Sequence, residues 1–341
     1  MTQLVYSREE LLRSHDYAKP HVVNGQQLHG GFDAAGKYIP PRILVREPAI
    51  EAWAQALRSR GGEPLEADSS LLGGMRFPSE AQLKLLVTND LEQSWWNTLT
   101  ITGMIEGRGR MLAEITFPDL QDVIWEDVSE MGIAHLNKGL LYAHGVDEGG
   151  ELDKGIGGHD VMWYQLRDLA FGPRDYPMPE VPERIGREDD ARGEFREIDN
   201  RHEQVISFLL NLLLIEFRAE IGFAMTQRML RDPDVFPERR AECEEAAEIV
   251  GRIRADEEIH VESLKVYLGE LRNVTLKTVD GGRKPGRELI DPFWQRIVQW
   301  ATVEQPKLAA EQQREVLTGR ILAHRDGKKM LERFDALADA A

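Results

Sequence analysis

Glu257 and His260 have the residue types and the spacing that metal binding requires. They lie in the string DEEIH at 256–260, and steps of three and four along this stretch place aliphatic residues above and below them on one helical face. An ionised carboxylate on a buried face is costly unless it is paired or bound to a metal ion. Because glutamate and histidine three residues apart can converge on one cation, we interpret the pair as metal ligands. The alternative is a surface glutamate beside a buried histidine.

Glu216 and Glu220 are two further acidic residues in an apolar stretch. The string LLNLLLIEFRAEIGFAM at 209–225 is hydrophobic on nearly every side, which predicts a central helix. A carboxylate in such a helix needs a buried cation or a metal ion as its partner. Both glutamates are therefore candidate ligands, and a salt bridge with an arginine is the alternative.

The other candidates are Glu106, on the inward stripe of a predicted helix, and the pair Glu130 and His135. Residues five apart in a regular helix point about 140° away from each other. Glu130 and His135 therefore share a face only if a π-bulge adds a residue between them, which Gly132 would make easier. The alternative is that His135 is not a ligand and that Asp127 or Glu130 serves alone.

The positions of these acids match in two predicted helical hairpins. Residues at equal depth in two antiparallel helices have a sequence midpoint near the turn. Glu106 and Glu130 have their midpoint at 118, inside the FPD turn, and Glu216 and Glu257 have theirs near 236, inside the DPDVFP break. The midpoint favours Glu216 over Glu220 as the ligand of its helix.

Helical periodicity over the middle of the chain predicts an all-α fold. Proline-free patterns predict helices from Ser79 onward, from about 120 to His144, from Asp199 to Leu230 and from Glu238 to Val274, and Ser79 with Gln82 suits a capping box. Two hairpins, 79–144 and 199–274, joined by a long connection suit a four-helix bundle with one long crossover. No convincing run of alternating strands is visible.

Three regions follow from this pattern. Residues 1–78 are an N-terminal extension with mixed loops and a short helix, and residues 79–274 are the bundle with an insertion at 145–198. Residues 275–341 form a C-terminal segment with additional helices. His144 and His159 flank the glycine-rich part of the insertion and could line an entrance.

A carboxylate on each of two helices, with Glu-x-x-His on their partners, resembles the ferritin-like di-metal carboxylate proteins. These include ribonucleotide reductase small subunits, acyl-carrier-protein desaturases, aldehyde-deformylating oxygenases and N-oxygenases of aromatic amines. The resemblance covers residues 79–274, and its most specific element is ADEEIH at 255–260. Glu106 and Glu216 match the single-carboxylate helices. The second helix departs from the pattern, since Gly132 stands three before His135.

The resemblance implies two bound iron ions, or manganese and iron, and an oxidase or oxygenase that uses O2 to oxidise a small or lipid-like organic substrate. An electron-donor protein and a homodimer are compatible partners. Two alternatives remain: a radical subunit like that of ribonucleotide reductase, and a metal-free helical interaction or scaffold protein. The only cysteine, Cys243, excludes an all-cysteine metal site.

The charge balance excludes other classes of partner. The chain of 341 residues has 42 basic and 59 acidic residues, a net charge of −17. A surface this acidic repels nucleic acid and anionic lipid. The longest apolar run, 205–215, is too short for a membrane span, which needs roughly 18 residues. We therefore expect a soluble, cytoplasmic protein.

Overall fold

The protein is mostly helical in a computed structural model, which describes residues 2–72, 77–181 and 196–337. The α-helices are α1 (Arg8–Leu11), α2 (Ile43–Ser59), α3 (Glu80–Val87), α4 (Gln93–Gly109), α5 (Leu140–Gly149), α6 (His159–Phe171), α7 (Asn200–Arg231), α8 (Arg240–Asn273), α9 (Gly286–Gln299), α10 (Gln305–Ala323) and α11 (Gly327–Ala336). The strands are β1 (Lys19–Val23), β2 (Gln26–Phe32), β3 (Tyr38–Ile39), β4 (Thr275–Lys277) and β5 (Arg283–Pro285).

The long hairpin α7–α8 follows the predicted boundaries closely. Asp199 caps α7, and a 3-10 turn at Pro237–Arg239 leads into α8. The antiparallel pairing is fixed by ion pairs that have midpoints near residue 237, for example Arg254 Nε to Glu220 Oε2 at 2.9 Å. Glu216 and Glu257 therefore lie at matched depth in this hairpin.

The long helix predicted to begin at Ser79 is divided into two helices, α3 and α4. The predicted capping box of Ser79 and Gln82 is present and begins α3. The helix ends after Val87, because Asp90 takes a left-handed backbone conformation with φ 59°, and α4 then starts afresh at Gln93.

α4 packs against α6, which lies within the segment 145–198 predicted as an insertion. The two helices approach closely at Gly103, where a Cβ atom would lie 2.7 Å from the Tyr164 ring. Arg167 Nη1 donates to Thr100 Oγ1 at 2.8 Å across the same contact. α6 also packs on α8, and α8 on α7, so the four helices enclose a common interior.

The stretch 120–138 is not the predicted helix. It contains two 3-10 segments, Leu120–Asp122 and Gly132–Lys138, instead of an α-helix. Between them the backbone pairs with β4, since Trp125 N donates to Thr275 O at 2.9 Å and Lys277 N donates to Val123 O at 2.7 Å. Farther along, the side chain of Glu270 accepts hydrogen bonds from Gly132 N and from Ile133 N, both at 3.0 Å. These partners lie outside the stretch, so its helical periodicity does not determine its conformation.

Two small antiparallel sheets also depart from the prediction. β1–β2–β3 form one sheet and β4–β5 the other. β1 and β2 are joined by Asn24-Gly25, whose φ angles of 48° and 79° are those of the tight hairpin turn that Asn-Gly favours. Val23 and Leu28 of this hairpin are buried.

The apolar core has two main parts that meet in the middle of α7 and α8. One part contains residues 205–217 of α7 and 259–271 of α8, and the other contains residues 223–230 and 243–253. A third, smaller cluster joins α10 and α11 to α3. Among the described residues, no helix is both long enough and apolar enough to cross a bilayer.

We predict that Glu270 makes stability depend on pH. Burial raises the pKa of Glu270 from 4.5 to about 7, although two backbone donors and Arg60 oppose this. The folded protein then retains a proton that the unfolded chain releases, so the free energy of unfolding falls as pH rises from about 4.5 to 7, by up to about 3 kcal/mol.

Urea unfolding between pH 5 and 8 tests this prediction. Glu270→Gln cannot titrate, so the wild type should lose stability relative to it as pH rises. Glu262→Gln changes an exposed side chain of the same helix and should follow the wild type. A constant difference between the wild type and Glu270→Gln would contradict the prediction.

Candidate metal centre

Two overlapping groups of four side chains, all buried except the half-buried Glu106, offer ligand atoms that lie within 4.8 Å of one another in each group. All of these side chains end in imidazole nitrogen or carboxylate oxygen. One group is His144, Glu148, Glu216 and His260, and the other is Glu106, Glu148, His159 and Glu257. We call these seven residues the ligand cluster. It lies where the two parts of the apolar core meet. A third group, His29, His159 and Asp256, shares His159 with the cluster.

Five helices supply the ligand cluster. α4 carries Glu106 in its last turn, and α7 carries Glu216 near its middle. α5 carries His144 and Glu148, which are four residues apart and therefore share a face. α6 begins at His159, and α8 carries the Glu-x-x-His pair.

Glu148 and His159 meet because the segment between them is a closed loop. Glu151 N donates to Ile156 O at 2.8 Å, which folds the loop back on itself. Its two ends touch, since a Cβ atom on Gly158 would lie 2.4 Å from Gly150 N. Gly150 also has a φ of 71°, a conformation that favours glycine. The loop thus brings the last turn of α5 next to the first residue of α6.

Glu148 and Glu257 each face histidines of both groups. Glu257 Oε1 lies 3.0 Å from His159 Nδ1, and its Oε2 lies 2.9 Å from His260 Nδ1. Glu148 Oε1 lies 3.5 Å from His159 Nδ1 and 3.2 Å from His260 Nδ1. These two carboxylates occupy the centre of the cluster.

The other three side chains lie around this centre. Glu216 Oε1 is 2.9 Å from His144 Nε2, and the His144 ring stacks on His260 with centroids 3.8 Å apart. On the opposite side, Glu106 Oε2 is 3.7 Å from His159 Nδ1. One further glutamate, Glu216 or Glu106, therefore lies on each side of the central pair Glu148 and Glu257.

Two atoms of the ligand cluster have no hydrogen-bond partner within the described ranges and fit a cation. Glu148 Oε1 and His159 Nδ1 are buried and make no hydrogen bond to a described residue, although several polar atoms lie within 3.7 Å of them. Buried polar atoms normally have partners. Close approach without hydrogen-bond geometry is expected of ligand atoms that point at a common ion.

The carboxylates of the cluster crowd one another. In the described part of the chain, no lysine or arginine forms an ion pair with any of the four glutamates. Burial, followed by repulsion from Glu148, raises the pKa of Glu106 well above its ordinary value, and burial with repulsion from Glu257 does the same for Glu216. Burial and His260 lower the pKa of His144 to about 3. Burial acts to raise the pKa of Glu148 and Glu257 as well, but His159 and His260 hold both below their ordinary values. The ionised carboxylates therefore depend on positive charge from protonated histidines or from metal ions.

Two aspartates hold the histidines in a crossed arrangement. Asp147 directly precedes Glu148, and its Oδ2 lies 3.1 Å from Nε2 of His260 on α8. Asp256 directly precedes Glu257, and its Oδ2 lies 3.4 Å from Nε2 of His159 on α6. Each aspartate therefore orients a histidine on a different helix, as the outer partners of metal-bound imidazoles do.

The N-terminal region completes this outer layer. His29 Nε2 and Tyr38 Oη each donate to Asp256 Oδ2 at 2.9 Å. Arg42 and Arg46 both form ion pairs with Asp147, the second with Nη2 at 2.7 Å from Oδ2. Residues that precede α3 along the chain therefore help to position the ligand cluster.

Four of the residues predicted from the sequence lie together in the ligand cluster: Glu106, Glu216, Glu257 and His260. Glu220 lies outside it, where both of its carboxylate oxygens accept hydrogen bonds from Arg254, the salt bridge named as its alternative.

Glu130 and His135 also lie outside the ligand cluster. Glu130 is exposed. His135 is buried, but Tyr6 N donates to its Nε2 at 3.1 Å and its Nδ1 donates to Met131 O at 2.8 Å. Both ring nitrogens are therefore used within the polypeptide, and the ring packs on Trp53.

Sequence reasoning missed His144, Glu148 and His159 as candidate ligands. The i, i+4 spacing of His144 and Glu148 was a usable signal, as was the repeat of Asp-Glu at 147–148 and 256–257. His159 carried no local signal, because the loop separates it from Glu148.

Comparison with known proteins gave no match to a protein-family model, a curated protein or a solved structure.

We predict that Asp147 is required for stability even without metal. Asp147, Arg42 and Arg46 are all at most 5 % exposed. Asp147→Asn would leave two buried guanidinium groups without their shared carboxylate, which should lower the free energy of unfolding by about 3–5 kcal/mol.

Urea unfolding in the presence of a chelator measures this effect. Glu151→Gln is the matched control, since Glu151 also contacts Arg42, at 3.3 Å, but at a more exposed position. The control should lose less than about 1 kcal/mol. Equal losses for the two variants would show that the buried ion pairs do not carry this stability.

Proposed function

We propose that the ligand cluster binds two metal ions, iron or manganese and iron, and that the protein is an O2-activating oxidase or oxygenase. The observation that carries the proposal is the shared position of Glu148 and Glu257 between two groups of ligands. Glu257 has a histidine of each group at a different oxygen, and Glu148 faces the same two histidines with Oε1, so both carboxylates could be shared by two ions. The pairing of α4 with α6 and of α7 with α8 supports a ferritin-like bundle.

The donor atoms favour iron or manganese over other metals. Carboxylate oxygen with imidazole nitrogen suits these ions, whereas soft metals prefer thiolate. Cys243, the only cysteine, is buried in the apolar core, and burial raises the pKa of its thiol to about 11. The four carboxylates also balance the charge of two divalent ions.

Each layer of the site has a separate task in this proposal. Two iron ions held here would supply the electrons that reduce O2, with further electrons from an electron-donor protein. Glu148 and Glu257 would be ligands of both ions, and Asp147 and Asp256 would keep the imidazole rings in place. The apolar core on either side excludes water from the ligands.

The metal-free scaffold has less support. That alternative requires the buried acids to be paired with arginines. Asp147 and Glu220 do have arginine partners, but the four glutamates of the ligand cluster face only histidines among the described residues. In a metal-free scaffold, protons on His159 and His260 would have to supply the positive charge; burial lowers the pKa of these imidazoles, but the neighbouring carboxylates raise it well above the ordinary value.

A radical subunit is the second candidate, and Tyr38 is the observation that favours it. Its hydroxyl donates to Asp256, which in turn faces His159, so a tyrosine lies one hydrogen-bonded residue away from a candidate ligand. An electron paramagnetic resonance signal of a tyrosyl radical after aerobic iron loading, lost in Tyr38→Phe, would favour this candidate. Its absence would favour the oxygenase.

Metal content per chain tests the proposal. After anaerobic reconstitution with iron(II), elemental analysis should find about two equivalents in the wild type, as in di-metal bundles. Glu148→Ala and Glu257→Ala each remove a ligand that both ions share, so each should retain less than one equivalent.

Glu130→Ala is the matched control, because Glu130 was also a candidate ligand but lies on the surface. It should keep the full metal content, and circular dichroism should show that all variants are folded. A wild type that binds no iron would overturn the proposal. Metal loss in Glu130→Ala with retention in Glu148→Ala would overturn the ligand assignment.

A further inference from the structure

A cavity between α4 and α7 connects the ligand cluster to a positively charged side chain. Its volume is about 330 Å³, and both Glu106 and Arg218 line it. Much of the remaining lining is apolar, and includes Trp95, Leu99 and Phe223. The volume is at the lower end of the range of small-molecule sites, about 300–1,000 Å³.

Arg218 differs from three other inward-facing arginines in having no carboxylate partner among the described residues. Arg42, Arg46 and Arg254 all have carboxylate partners. Arg218 is half-buried, and in the described residues no carboxylate lies within salt-bridge distance of its guanidinium group. Burial lowers the pKa of Arg218, with no opposing charge to offset it.

The guanidinium group is held in place rather than left free. Arg218 Nη2 donates to Gln305 Oε1 at 2.6 Å, and Gln305 at the start of α10 also lines the cavity. A neutral partner fixes the orientation of the group and leaves its charge uncompensated. The C-terminal helices thus contribute directly to the cavity.

We propose that this cavity binds an apolar carboxylic acid, with its carboxylate on Arg218 and its apolar part directed along the cavity towards Glu106. The inference rests on the proposed function, because it makes this acid the substrate of the di-metal site. It narrows the proposed substrate from a small or lipid-like organic molecule to an apolar carboxylic acid.

The charges of the lining favour a carboxylate over a phosphate. The planar guanidinium fork matches both groups. Among the described lining residues, however, Arg218 is the only basic one, and Glu106 is the only acidic one. One cation neutralises a monoanion but not a phosphate dianion, and the aromatic lining suits an alkyl or aryl chain.

Calorimetric binding of acids and their uncharged counterparts tests the inference. The probes are octanoate and 4-phenylbutyrate, with octan-1-ol and 4-phenylbutan-1-ol as controls of nearly equal size. Because a hydrogen-bonded charge pair contributes strongly, each acid should bind at least about tenfold more tightly than its alcohol. Equal affinity for acid and alcohol in the wild type would overturn the inference without any variant.

Arg218→Gln should lower the affinity for both acids at least about tenfold and leave the alcohols unchanged. Gln305→Ala should weaken the acids less, since the charge remains. Arg201→Gln is the matched control, because Arg201 lies on the same helix with a side chain that is 73 % exposed. Unchanged acid binding by Arg218→Gln would also overturn the inference.

The titrations are performed on metal-free and on iron-loaded protein. Loss of selectivity for acids with the metal content intact would overturn the carboxylate site alone. Absence of metal with selective acid binding intact would overturn the proposed function and leave a binding site for carboxylic acids.

Discussion

The arrangement depends on one electrostatic constraint: four glutamates converge in the protein interior with no lysine or arginine among the described residues to neutralise them. Burial of an ionised carboxylate is costly, and burial of several at one point is worse. Positive charge must therefore come from protons or from metal ions. Histidines between the carboxylates supply lone pairs that suit metal ions, and four negative charges match two divalent cations.

The surrounding fold keeps these side chains together against their mutual repulsion. The pairing of α7 with α8 fixes the depth of one half of the ligand cluster, and the pairing of α4 with α6 fixes the other. Arg42 and Arg46 neutralise Asp147, which leaves that aspartate free to orient His260. His29 and Tyr38 donate hydrogen bonds to Asp256, which faces His159. The N-terminal hairpin and α2 therefore belong to the site as much as the long helices do.

Sequence periodicity identified the residues of the site that lie on uninterrupted helices. Glu216 and Glu257 were found because α7 and α8 are regular and meet at a recognisable break. The same midpoint argument gave the wrong partner for Glu106. It took the FPD turn as the point where the chain reverses, whereas α4 pairs with α6 and the contacts between them have midpoints near residue 133. The positions of Glu148 and His159 depend on the closure of the loop between them. They also depend on the long-range contacts that replace the predicted helix at 120–138. No local pattern contains such information, and the Asn-Gly hairpin was a signal that was overlooked.

Anomalous diffraction at the iron edge, from crystals of iron(II)-loaded protein, would locate the bound ions. We expect two peaks about 3.5–4 Å apart, both in contact with Glu148 and Glu257. A single peak, or ions bound away from these two glutamates, would contradict the assignment of a shared di-metal site.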